Sequence, residues 1–226
     1  MDYKLDNSFE LFYALKKSNL LTENTDEFWW PNSGSFEVII GAILTQNTKW
    51  ANVQKALNNL TNKNDLETIV NMDTKELALR IKPSGFYNTK AKYLKNLAKN
   101  IYNKYESFEL FCENTTRQWL LENRGIGQES ADSILCYACK REEMVADAYS
   151  HRLLLACGIE FESYEDVKEF LAQGICENID KIWELYGEEI PLNKIYARFH
   201  GKIVNYCANN SHKKTIDISK LQEFLQ

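Results

Sequence analysis

The chain has 226 residues, enough for one or two compact domains with a full hydrophobic core. Its formal net charge of −5 at pH 7 argues against a protein that holds a polyanion by bulk charge. The longest apolar run, residues 38–44, is far short of the ~20 residues of a membrane helix, and the charged first twenty residues do not read as a secretory leader, so a soluble cytoplasmic protein with no membrane partner is expected.

Only three prolines and nine glycines punctuate the chain, which favours helices with short connections. Phe9, Phe12 and Leu15 or Lys16 fit one face of a short first helix. Residues 36–44 read as a buried helix. In 51–60, Val53, Ala56, Leu57 and Leu60 take the i, i+3, i+4, i+7 positions of another. Asp73-Thr74-Lys75-Glu76 has the capping-box pattern and opens a short helix to residue 81. Pro83-Ser84-Gly85 breaks the chain. Residues 87–105 form an amphipathic helix with Ala91, Leu94, Leu97, Ala98 and Ile101 inward and the lysines on its polar face. Helices at 116–122 and 128–139 flank Arg124-Gly125-Ile126-Gly127. Beyond Asp147 the spacing predicts helices at 150–156, 164–177 and 192–208. No alternation is long enough for a sheet, so the fold class is all-α.

The charge is unevenly spread. Arg80, Lys82, Lys90, Lys92, Lys95, Lys99 and Lys104 follow one another with no acidic residue between, whereas residues 160–189 hold ten acidic residues against Lys168 and Lys181. A single-sign stripe can attract a polyanion on an acidic molecule; a solvated helix face explains either run as well. The six cysteines are scattered. Cys136 and Cys139 form a C-x-x-C without a second pair, so reduced core thiols are expected and no metal site.

Residues 120–135 read as helix, tight G-I-G hairpin, helix. Gly125 and Gly127 let the backbone turn sharply and approach another molecule, and the second helix offers unpaired N–H groups to an anion such as a DNA phosphate. An ordinary turn between core helices has the same G-x-G. Further along lies Met144-Val145-Ala146-Asp147-Ala148-Tyr149-Ser150-His151-Arg152. Upstream are Leu44-Thr45-Gln46-Asn47-Thr48 and Gly85-Phe86-Tyr87-Asn88-Thr89-Lys90-Ala91.

In this order and spacing the segments resemble the helix-hairpin-helix DNA glycosylases of the endonuclease III superfamily. The resemblance places Asp147 on the catalytic aspartate, with His151 shifted from the usual histidine and Arg152 near the usual arginine. It implies a two-lobed helix-hairpin-helix glycosylase fold with a central cleft: residues 32–143 as the barrel lobe, and 1–31 plus 144–226 as the second. Gln46, Asn47, Gly125, Gly127, Gln128 and Lys90 are the expected DNA contacts. Two departures narrow the function. Where bifunctional members carry a lysine after the hairpin this chain has Glu129, and a carboxylate cannot form the Schiff base of lyase chemistry. Past Gly201 only Cys207 remains, so no iron–sulfur cluster, and no other cofactor, is expected.

Phe28-Trp29-Trp30-Pro31, Trp50 and Tyr196-Ala197-Arg198-Phe199-His200-Gly201-Lys202 extend the resemblance to the bacterial 3-methyladenine DNA glycosylase III subfamily. It implies a monomeric, monofunctional enzyme acting on double-stranded DNA that contains alkylated bases. A 3-methylated purine is cationic and already a good leaving group. Asp147 would then stabilise the oxocarbenium-like sugar, activate water, or both. Trp29, Trp30 and Trp50 would receive the flipped base, with Glu129 and Lys202 lining the pocket; a snorkelling surface lysine is the other reading of Lys202. Three rivals stay open: a glycosylase for uracil, mismatched or oxidised bases; a non-catalytic DNA-binding hairpin module; and a helical interaction protein.

Overall fold

The computed structural model describes residues 5–21, 25–213 and 215–225. The chain folds as two compact bodies, residues 32–141 and residues 1–31 with 142–226.

The first helix, α1 (Ser8–Lys17), is capped by Asn7, whose side chain accepts from the Phe9 N–H. The body of 32–141 follows: α2 (Phe36–Leu44), α3 (Trp50–Asn58), α4 (Leu66–Asn71), α5 (Thr74–Arg80), α6 (Tyr87–Tyr105), α7 (Phe108–Asn114), α8 (Arg117–Leu121) and α9 (Gln128–Ser133). The last runs on into a π-type turn at Ile134–Ala138. In α2 every residue but Glu37 is buried, so it is enclosed on all sides as an apolar helix must be. Asp65, Asp73, Ser107 and Thr116 cap the helices that follow them. Each capping side chain satisfies an N–H that the helix leaves unpaired. Helices α4 and α7 are absent from the sequence reading: each has only six or seven residues, too short for a period to show.

The other body joins α1 to α10 (Ala148–Ala156), α11 (Tyr164–Cys176), α12 (Ile179–Tyr186), α13 (Leu192–Asn210), a two-stranded hairpin (β1, Ser211–His212; β2, Thr215–Ile216) and α14 (Ser219–Gln222). Its core gathers Leu11, Phe12, Leu15, Leu154, Leu171, Ile182, Phe199 and Tyr206. At roughly 1.5–3 kcal/mol per fully buried large side chain, such a core dominates the body's stability. Helix α1 approaches α11 closely because Gly174 has no side chain: a Cβ there would lie 2.3 Å from Ser8 Oγ. Ser8 Oγ uses that proximity to donate to the Leu171 carbonyl at 2.9 Å.

Candidate active site and nucleic-acid interface

Asp147 is not within a loop but at the N-cap of α10, with extended backbone (φ −121°, ψ −178°). Its Oδ1 accepts from the Ser150 N–H at 2.8 Å and the Ser150 hydroxyl at 3.0 Å. Its Oδ2 lies 3.7 Å from His200 Nε2 on α13. Burial raises the carboxyl's pKa, but the nearby His200 imidazole, and then the Ser150 donors, outweigh it and hold the group below the usual aspartate range. The positive end of the α10 dipole acts in the same direction. One oxygen is thus fixed by the helix it caps, and the other is held toward an imidazole, as a carboxylate.

His200 in turn supports Trp29. The two rings meet edge to face, centroids 5.6 Å apart, and Trp29 meets Trp30 the same way at 6.1 Å. Trp29 Nε1 donates to Asn205 Oδ1 at 3.3 Å, and the indole lies against Gly201, where a Cβ would stand 2.2 Å from its Cγ. Trp29 takes a left-handed φ of 68° at the end of a turn in which its N–H donates to the Asp26 carbonyl. A bulky aromatic held there is strained by about 1–3 kcal/mol, a cost that clusters at functional sites. Asp147, His200, Trp29 and Trp30 therefore form one contiguous set.

Within 32–141 the hairpin is built with equal care. Gly125 has φ +91°, and a Cβ there would fall 2.2 Å from Tyr93 Cδ2, so only glycine fits against that ring. Arg117 clasps the fully buried Asp132 carboxylate with two bonds, at 2.6 and 3.2 Å, joining α8 to α9. Gly127 opens α9 with no side-chain cap and open space where a Cβ would be. Gln128 and Glu129 are exposed in the first turn.

Several expected contacts have other work. Gln46 Nε2 donates to the Gly125 carbonyl at 2.9 Å and Ser130 Oγ at 3.0 Å, so it braces the hairpin. Lys90 is not on a polar face: it is 3% exposed and donates to Leu44 O, Thr48 Oγ1 and Ser84 O at 2.8, 2.8 and 2.9 Å. Burial pulls it down to about 8, which leaves the ammonium charged at neutral pH. Lys95 is buried as well, on the carbonyls of Ile69, Val70 and Met72. The basic stripe thereby loses two of its seven members to internal capping. Lys202 is buried rather than snorkelling: it donates to the Tyr186 hydroxyl at 3.1 Å and lies over the Phe12 and Tyr186 rings. Two residues on from His200, it is turned roughly 200° round the helix. Burial, then the charges of Arg198 and Lys16, lower it to about 7. Trp50 is half-buried at the start of α3, and Asn47 is exposed with φ 52°.

His200 and Phe86 are the residues that sequence reasoning missed. His200 sat in a quoted motif with nothing to distinguish it. Phe86 is 75% exposed and left-handed at φ 47°, just after Gly85.

The helical fold and this arrangement define a helix-hairpin-helix glycosylase architecture. Residues 40–176 match the family model described as HhH-GPD superfamily base excision DNA repair protein, and the chain belongs to that superfamily as a DNA glycosylase. It is 37% identical over 229 residues to a Methanocaldococcus jannaschii protein provisionally named a DNA repair glycosylase, covering 97% of each. The structure of H. pylori 3-methyladenine DNA glycosylase (MagIII) bound to 1,N6-ethenoadenine superposes with TM-score 0.87 at 45% identity, over 91% of this chain and 99% of that one. An endonuclease III–DNA covalent intermediate matches at TM-score 0.71 and 16% identity, over 98% and 100%, a likeness of fold alone. Among the described residues no helix is long and apolar enough to cross a membrane.

Proposed function

We propose that this glycosylase excises alkylated purines, 3-methyladenine among them, by hydrolysis of the N-glycosidic bond and without lyase chemistry. The observation that carries the proposal is the Asp147–His200–Trp29 set: a carboxylate kept ionised by its cap and its imidazole neighbour, with edge-to-face aromatics beside it. An anion so held stabilises positive charge developing on a sugar and orients water toward it. Ring faces favour a flat cationic base by stacking and by cation–π attraction. The 45% identity to a 3-methyladenine glycosylase points to the same substrate class. Glu129, at the position of the family's lyase lysine, supports strict hydrolysis.

Duplex DNA containing the alkylated base is the proposed partner of a single copy of the chain, with no cofactor. The hairpin at Gly127, where α9 begins, takes a backbone phosphate. Asn47 and Phe86 are the groups offered to the base stack, Phe86 as the apolar wedge. A panel of duplexes tests this, each with one lesion: 3-methyladenine, uracil, a G·T mismatch or 8-oxoguanine. Free base and strand scission are read separately. Release from the alkylated duplex with the strand intact is the expected result. Faster release from a neutral lesion, or a borohydride-trapped enzyme–DNA adduct, contradicts it.

A further inference from the structure

Lys90 does something that its burial alone does not explain. An ammonium withdrawn from water is costly unless every donor is met, and Lys90 meets all three with oxygens from two stretches of chain, residues 44–48 and Ser84. Leu44 O is the C-terminal end of α2. Thr48 Oγ1 belongs to the loop that carries Asn47. Ser84 O belongs to the loop that carries Phe86. The Thr48 hydroxyl also reaches Ser84 O at 2.5 Å, so the two loops are tied to each other as well as to the lysine. Each loop carries an exposed, left-handed, non-glycine residue: Asn47 at φ 52° and Phe86 at φ 47°. Neither conformation, nor a phenylalanine 75% exposed, benefits the fold.

Lys95 is the internal comparison. It is another buried lysine of the same helix, also on three oxygens, but all three are backbone carbonyls of the end of α4 and the residue after it. No exposed aromatic tip depends on it.

We propose that Lys90 is a positioning residue for DNA: its ammonium fixes the Asn47 loop and the Phe86 loop in one register, so that both tips meet the duplex together. This rests on the reading of those two loops as DNA-facing.

The test compares wild type, Lys90→Met, Lys95→Met, Thr48→Val and Phe86→Ala. Affinity is measured for a duplex containing a tetrahydrofuran abasic-site analogue and for the same duplex undamaged, alongside thermal midpoint and salt slope. Both lysine variants are expected to melt lower. Phe86→Ala and Lys90→Met should lose preference for the abasic duplex by at least about 5-fold, the low end for one lost stacking contact, and Thr48→Val more mildly, whereas Lys95→Met should keep it. The salt slope, which counts phosphates, should stay as in wild type. If Lys90→Met fails to fold, Thr48→Val carries the comparison. Retained preference in Lys90→Met, or in Thr48→Val standing in for it, while Phe86→Ala loses it overturns the role of Lys90 alone. Wild-type preference in Phe86→Ala overturns the DNA-facing reading of the loops and the proposal with it.

Discussion

Replacing Gly201 by alanine sets two effects of opposite sign against each other. Gly201 lies inside α13, where alanine is favoured by about 1 kcal/mol on helix propensity. The added Cβ would stand 2.2, 2.5 and 2.6 Å from Trp29 Cγ, Cδ2 and Cδ1, where ordinary contact begins near 3.4 Å. The indole must therefore retreat by at least about 1 Å, an overpacking cost of roughly 1–3 kcal/mol. Retreat also strains its bond to Asn205 and its edge contact with His200. The clash outweighs the propensity gain, so Gly201→Ala should lower the thermal midpoint. If Trp29 stacks on the flipped base, displacing it removes about 1–3 kcal/mol of binding, a ~5- to 150-fold fall in kcat/KM. The assay is base release from methylated duplex at limiting substrate, with calorimetry on the same preparations. A variant that melts higher than wild type and keeps its kcat/KM within about 2-fold refutes the placement of Trp29 and its role.

Gly127→Ala has the opposite profile. A Cβ there meets nothing within 4 Å, so stability should hold while DNA affinity falls, because the space is needed by the approaching backbone; unchanged affinity by fluorescence anisotropy argues against a phosphate at this turn. Asp147 is held below the usual aspartate range, so kcat/KM should stay flat from pH 7 to about 4 and fall only below the ordinary value near 3.9. The linked stability has the same sign: it is fully present above the unfolded pKa and is lost as pH falls through the lower folded one. Inactivation with a midpoint near pH 6 and the fold intact contradicts this. Lys202, lowered to about 7, binds fewer protons folded than unfolded between about pH 7 and 10.4, so its contribution to stability should rise across that window. Thermal midpoints of wild type minus Lys202→Met should show that rise; a flat difference contradicts the lowered value.

Long helices were legible from period alone. Residues 87–105 carry enough turns for an apolar stripe to stand out, residues 36–44 are apolar but for Glu37, and the two spans match α6 and α2. Lys90 and Lys95 mark where charge counting misled. Lys90 shares a stripe with Leu94, Leu97 and Ile101, and Lys95 one with Ala91 and Ala98, so the spacing that defined the buried face already contained both lysines. Reading them as a basic patch set residue type above position. Resemblance singles out Asp147 but not its capping role: the spacing predicts a helix from residue 150, whereas α10 begins at Ala148 with the aspartate as its cap. His200 is 53 residues away in the chain, and no local pattern reveals a contact at that separation. Trp29 and Phe86 share a property invisible to composition, a left-handed backbone under a large side chain.

The most direct measurement is chromatographic detection of free base released from methylated duplex DNA by wild type and Asp147→Asn side by side. Asparagine caps a helix about as well as aspartate, so the variant should fold and bind DNA as wild type does. Removing a unit charge about 4 Å from a developing cation forfeits ~4 kcal/mol at an effective dielectric near 20, so release should fall by about 10³-fold. Wild-type release of 3-methyladenine with that loss is the predicted result. Release by the variant within about 5-fold of wild type, or none by a folded, DNA-binding wild type, contradicts Asp147 as the essential carboxylate or the alkylated purine as the substrate.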